Sequence, residues 1–180
     1  MTTYSHGTML SEALVVGALP TEAKVAVIMG SQSDWPTVQP CCDILNQLQI
    51  LFEYGVVSAH RTPKRMIDYV GHAEARGLQV IIACAGGSAH LPGMAASETI
   101  LPVLGFGPTS SKFGPMDVIG SNIRMPAGVP LAFMGLDDAG AKNAALEASR
   151  ILSLNDSELR KRLVSYVANQ TKSVPYAAHD

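Results

Sequence analysis

Short, wholly apolar runs alternate along this chain with stretches whose apolar residues recur every three or four positions. No other feature limits the fold as much. Lys24-Val-Ala-Val-Ile-Met-Gly30 has the make-up of a strand buried on both faces and ends in a glycine. Ser33 and Asp34 then suit a helix cap, and Val38, Cys42, Leu45 and Leu48 follow at helical spacing, with Pro40 expected to spoil the first turn. A second strand is expected over 50–57 and a third over 78–84, separated by a helix that opens at Thr62-Pro63 and stops at Gly77. A short alanine-rich helix, a fourth strand near 100–105, a long loop over 106–117 and a fifth strand over 129–136 continue the series. Two helices close it. One is capped near Asp138 and runs to about 152; the other spans 156–171, with Leu159, Leu163, Tyr166 and Val167 along one side, more than one small sheet face needs.

Strands alternating with helices imply right-handed crossovers and a parallel sheet covered on both faces. The expected fold is α/β, three-layered and flavodoxin-like, with five parallel strands in the order 2-1-3-4-5 and a C-terminal helix. At 180 residues the chain fits one such domain over 23–172, with 1–22 as a loose N-terminal extension and 173–180 as a tail.

Composition removes several function classes. With 47% hydrophobic and only 16% charged residues, the chain is not a disordered or solvating protein. Thirteen basic against fifteen acidic residues give a net charge of −2 with no basic cluster, which argues against nucleic acid and against a polybasic membrane anchor. No apolar run nears the roughly 18–20 residues of a membrane span. The segment 10–20 is broken by Glu12 and follows no Lys or Arg, unlike a signal peptide. Three cysteines, with Cys41 and Cys42 adjacent, suit neither a disulfide framework nor a zinc site, so a reducing cytoplasm is the expected compartment.

In a sheet of this order, ligands bind beyond the carboxyl ends of the strands, at the switch point between strands 1 and 3. The loops after strands 1, 2 and 3 converge there, and they are the most chemically unusual stretches of the sequence. Gly30-Ser-Gln-Ser-Asp-Trp35 offers hydroxyls and helix-start N–H groups for an anion, and Asp34 could accept from two sugar hydroxyls. The plainer reading is an ordinary turn and cap. Ser58-Ala-His-Arg-Thr-Pro63 places Arg61 at a helix start, where planar donors and the helix dipole suit phosphate, and His60 could move a proton near neutral pH. Its plainer reading is a strand-end histidine bonded to backbone beside a solvated arginine. In the third loop, backbone N–H groups at Gly86 and Gly87 could bind a carboxylate, with His90 nearby or merely structural. No HExxH, CxxC pair, Walker loop or GxGxxG is present, which leaves metal, ATP and NAD without their usual cradles. Together the residues read as an acid–base enzyme for a small phosphorylated, sugar-bearing substrate, working without metal.

Met29-Gly-Ser-Gln-Ser-Asp-Trp35, Ser58-Ala-His-Arg-Thr-Pro63 and Ala85-Gly-Gly-Ser-Ala-His-Leu-Pro-Gly-Met94, in that order, resemble the signatures of the N5-carboxyaminoimidazole ribonucleotide mutase family of purine biosynthesis. The likeness runs from about residue 24 to 171 and includes Met125-Pro-Ala-Gly-Val-Pro130. It implies a cofactor-free homo-octamer that moves a carboxylate from N5 of the substrate to ring carbon C4. It further implies that Ser33, Ser58 and Arg61 hold phosphate, Asp34 the ribose hydroxyls, and Ser31 with the backbone of Ala85, Gly86 and Gly87 the base and migrating carboxylate. Ser88 and Leu91 complete the implied binding set. His60 would carry the proton and His90 would support it.

The stretch 105–117 departs from the Gly-Val-Pro-Val continuation usual in that family, and Gly135-Leu-Asp-Asp138 departs from its Ile-Gly. Arg124 before Met125-Pro126 is a feature of the related direct carboxylases. The alternatives are therefore a direct aminoimidazole ribonucleotide carboxylase using CO2, a divergent paralogue, or a noncatalytic nucleotide-binding protein. The direct carboxylases carry Lys-Gly or Lys-Thr after Ser-Ala-His and lack Ala-His-Leu-Pro-Gly, both of which this chain contradicts.

Overall fold

Val25–Met29 forms a strand (β2) in which every side chain is buried, and its alternation sorts the core into two halves. Val25, Val27 and Met29 face one helix layer, while Ala26 and Ile28 face the other. Val80–Cys84 (β4), paired parallel to it, repeats the division: Val80, Ile82 and Cys84 on the first face, Ile81 and Ala83 on the second. A computed structural model describes this architecture for residues 4–11, 20–109 and 114–177.

Among the described residues the sheet contains six parallel strands: β1 (Gly7–Met9), β2, β3 (Phe52–Val56), β4, β5 (Val103–Gly107) and β6 (Ala132–Leu136), in the order β1-β3-β2-β4-β5-β6. The last five reproduce the expected 2-1-3-4-5 order. The count is corrected from five to six by β1, which adds to the outer edge of β3. Its three residues are too few, and too exposed, to leave an alternating signal in the sequence. Gly7 is needed there: a Cβ would come within 2.6 Å of the Phe52 ring. Tyr4 packs edge-on against Phe52 and Tyr54 just outside the strand.

One face of the sheet carries α1 (Trp35–Gln47), α6 (Asp137–Ser153) and α7 (Ser157–Ser173). Fully buried Ala141, Ala144, Ala145 and Ala148 let α6 approach α1 closely. Leu159 and Leu163 of α7 are spent on this core, contrary to their expected surplus, which leaves Val164 and Val167 exposed on the same helix. The other face carries α2 (Pro63–Gly71), α3 (Ala73–Arg76), α4 (His90–Ser97) and α5 (Pro115–Ile123). A buried ion pair, Arg76 to Glu53 at 2.8 Å, joins α3 to β3, and the Tyr69 hydroxyl donates to the same carboxylate at 2.7 Å.

Three local expectations change. Asp156 caps α7 as a side-chain acceptor, but the first helix is capped upstream: Ser31 accepts from the Ser33 N–H, and Asp34 accepts back from the Ser31 N–H. A single 3-10 turn, Gln32–Asp34, then leads into α1, which carries Pro36 in its first turn and Pro40 inside. Thr62 stands at the start of α2 yet bonds backward to Ser58 and caps no helix N–H. Within the stretch read as loop, Pro115 opens α5 after Gly114 turns the chain at φ 83°, and Val118 and Asn122 anchor it in the core.

Candidate functional site

The carboxyl ends of β2, β3 and β4 are tied level. Gly30 N–H donates to Cys84 O, Val57 N–H to Met29 O, and Ala85 N–H to Phe106 O, all within 3.2 Å. The three loops that leave these ends line one cleft of about 560 Å³, a size suited to a small ligand. Ser31, Ser33, Asp34, Ser58, His60, Arg61, Ala85, Gly86, Gly87, His90 and Leu91 all line it. Ser88 does not; it is exposed on the loop, and its carbonyl accepts from Ser121 Oγ at 2.6 Å.

Each loop is fixed by its own chemistry. In the second, Thr62 Oγ1 donates to Ser58 O at 2.9 Å and accepts from Ser58 N–H at 3.0 Å, which folds the segment into a tight turn. That turn presents His60 and Arg61 outward while Ser58 and Ala59 stay buried. Arg61 Nε donates to Ser58 Oγ at 3.2 Å and its Nη2 to Gly30 O at 2.7 Å, so the guanidinium bridges the first and second loops. In the third, Gly87 at φ 61° and Ala89 at φ 47° wind the chain through the left-handed region before α4 begins at His90. Buried Leu91 and Pro92 then seat that helix on the sheet.

His60 and His90 meet here, 30 residues apart in sequence: Nε2 of one lies 2.9 Å from Nδ1 of the other, with the rings edge-to-face at 89°. Such a contact requires one ring to carry the proton and the other to accept it, so the pair can pass a single proton. Asp34, on the same cleft, is half-buried. Burial pushes its carboxyl above the ordinary range, against the Ser31 N–H bond and the Arg61 charge, which pull it down. Its Oδ2 is used by the Ser31 N–H, and Oδ1 turns toward Gly86.

Sequence reasoning missed Thr37 and Pro108, which also line the cleft. Pro108 follows β5, and a Cβ on Gly86 would lie 3.0 Å from its ring. The topology itself was the available signal, because β5 ends on the same edge as the three recognised loops. Arg124, by contrast, is exposed and lies outside the lining.

Comparison with known proteins bears on this arrangement. The AIR carboxylase family profile matches residues 24–173. The N5-carboxyaminoimidazole ribonucleotide mutase of Pseudomonas aeruginosa is 50% identical over 152 residues, covering 84% of this chain and 93% of that protein. The Bacillus subtilis protein of the same name is 48% identical over 150 residues, covering 83% and 93%. Among solved structures, Treponema denticola PurE superposes with a TM-score of 0.74 at 31% identity, over 82% of this chain and 91% of that one.

Proposed function

We propose, because the chain belongs to the AIR carboxylase family, that it moves the carboxylate of N5-carboxyaminoimidazole ribonucleotide from N5 to C4, a step of purine biosynthesis. The observation that carries this reading is the convergence of an anion-suited arginine, a half-buried aspartate, a glycine-rich backbone and a histidine pair on one cleft. Relatives of the same name at 45–50% identity support it across most of the chain.

The residues divide the substrate between them. Arg61 and the Ser33 and Ser58 hydroxyls take the phosphate, and the free oxygen of Asp34 takes the ribose hydroxyls. Ser31 and the backbone from Ala85 to Gly87 face the base and the carboxylate. In the first half-reaction the N5–carboxylate bond breaks, CO2 leaves, and His60 delivers a proton to N5. In the second, C4 attacks the same CO2, the new carbon–carbon bond forms, and the C4 proton returns to His60. Atoms and protons balance over the cycle. His90, 2.9 Å from His60, fixes which nitrogen of that ring carries the proton. Holding CO2 between the halves needs a closed, ordered pocket.

Self-association into a homo-octamer belongs to the same proposal. Leu154, just past the end of α6, and Val164, midway along α7, stand 75% and 63% exposed, where a second copy would cover them. Among the described residues no helix is long and apolar enough to cross a membrane, and three buried free thiols suit a reducing cytoplasm. Light scattering that finds a monomer at micromolar concentration would overturn the octamer. The reaction is tested with N5-carboxylated substrate bearing ¹³C on the carboxylate, in excess unlabelled bicarbonate, with no ATP or metal ion added. Most label should appear at C4. Complete dilution of the label would instead mark direct carboxylation from solution.

A further inference from the structure

Beside Gly86 the wall of the cleft is made by Pro108, and its placement is unusual. Backbone pairing between β5 and β6 ends at Gly107 and Leu136, and Pro108 has no N–H to continue it. The next tie is a side chain. Asp137 Oδ1 accepts the Thr109 N–H at 2.8 Å, and its Oδ2 accepts the Thr109 hydroxyl at 2.8 Å. Pro108 is thus held between the last rung of the ladder and a two-point clamp. Asp137 makes the clamp from φ 50°, a left-handed conformation that costs a non-glycine residue energy and persists only where surrounding contacts fix it.

We propose that Asp137 is a positioning residue that keeps Pro108 against Gly86 as a wall of the cleft, and thereby retains CO2 between its release from N5 and its capture by C4. The inference rests on the mutase reading above. It adds a residue that touches no substrate and acts through Thr109 and Pro108.

The test compares Asp137→Gly and Asp137→Asn in the full chain. Glycine adopts φ 50° freely, and that relief offsets the two lost hydrogen bonds, so the Asp137→Gly protein should unfold within a few degrees of wild type. Its KM should nonetheless rise at least roughly 5-fold, up to about 150-fold if the whole of the two hydrogen bonds is felt at the cleft, while more substrate escapes as aminoimidazole ribonucleotide plus free CO2. Asparagine tolerates the same backbone and keeps an acceptor for the Thr109 N–H, so Asp137→Asn should restore KM to within about threefold of wild type. A purely structural role predicts the opposite pattern, a lower unfolding temperature with KM and leakage unchanged, and that result overturns the proposal. If wild type fails to convert the N5-carboxylated compound, the functional reading falls separately. Calorimetric affinity for aminoimidazole ribonucleotide in the same variants then decides the wall: equal affinity in wild type and Asp137→Gly, or no binding by either, overturns it.

Discussion

Replacing Arg61 with alanine isolates the phosphate contact from the chemistry. A guanidinium carries five N–H donors. Two of them are engaged within the protein, one on Ser58 Oγ and one on Gly30 O, which leaves three facing the cleft. A phosphate gripped by two of the three makes charge-assisted bonds worth about 1.5 kcal/mol each at the low end suited to an exposed site, so about 3 kcal/mol in all. That corresponds to roughly a 100-fold rise in KM. The phosphate does not change charge while the carboxylate migrates, so the lost contacts are equal in ground and transition states and kcat should stay within about threefold. Arg61 is exposed, and the buried Ser58 hydroxyl it leaves keeps the backbone N–H of residue 61 as a donor at 3.3 Å, so the unfolding free energy should fall by no more than about 1 kcal/mol. Arg61→Lys should fall between, near 10-fold, because a point charge cannot keep both anchors and the fork together. Steady-state kinetics give KM and kcat. Calorimetry of aminoimidazole ribonucleotide against its nucleoside then locates the effect. An equal loss of affinity for both ligands would refute the argument, since the nucleoside has no phosphate for Arg61 to hold.

Two further outcomes follow from the cleft. His60→Asn should lower kcat by about 10²–10⁴-fold while ribonucleotide affinity stays nearly constant, because proton transfer is lost and no binding contact is; near-wild-type turnover would move the proton to His90. Asp34 sets a pH dependence whose sign is fixed by burial, which raises its folded-state value above the unfolded one. The folded chain therefore binds that proton more tightly, so the group's stabilising contribution is present at acid pH and lost as pH rises through the raised value. At neutral pH the buried charge is a cost, and Asp34→Asn should unfold at a higher temperature than wild type at pH 7 while binding ribonucleotide poorly. The advantage should vanish near pH 3. A variant less stable than wild type at pH 7 contradicts the burial argument.

The sheet was legible because burial on both faces leaves an unbroken apolar run, as in Val25–Met29 and Val80–Cys84, and because such runs pair in parallel only through helices. The three loops were legible because three chemically unusual stretches each follow a strand and so converge on one sheet edge, although each alone also suits a plain turn. The elements that escaped notice carry weaker signals. Strand β1 has three residues, and helix α5 begins in a stretch whose glycines and prolines read as loop; its first turn is set by Gly114 and Pro115, the same residues that suggested irregularity. The wall residue Pro108 and its clamp escaped for a different reason. Asp137 and Thr109 lie 28 positions apart, and their contact depends on where two strands end, which no local pattern encodes.

Departures from local preference are concentrated where the chemistry is placed. Of the three non-glycine residues at positive φ among the described residues, Ala89 precedes His90 and Asp137 braces Pro108, while Gln49 lies elsewhere. Asp34, a carboxylate whose burial raises its proton affinity, faces the same cleft. So does the histidine pair, two titratable rings set at hydrogen-bond distance in a surface where each alone would be solvated. Strain of this kind persists only if the surroundings over-determine it. Here the level strand ends, the alanine-packed α6 behind β5 and β6, and the Ser58–Thr62 turn supply that constraint. A fold selected for stability alone would relax these positions with glycine at 89 and 137 and asparagine at 34. That these four features crowd the carboxyl edge of the sheet, while the opposite edge carries only the left-handed Gln49 among the described residues, is the physical reason to place the function there.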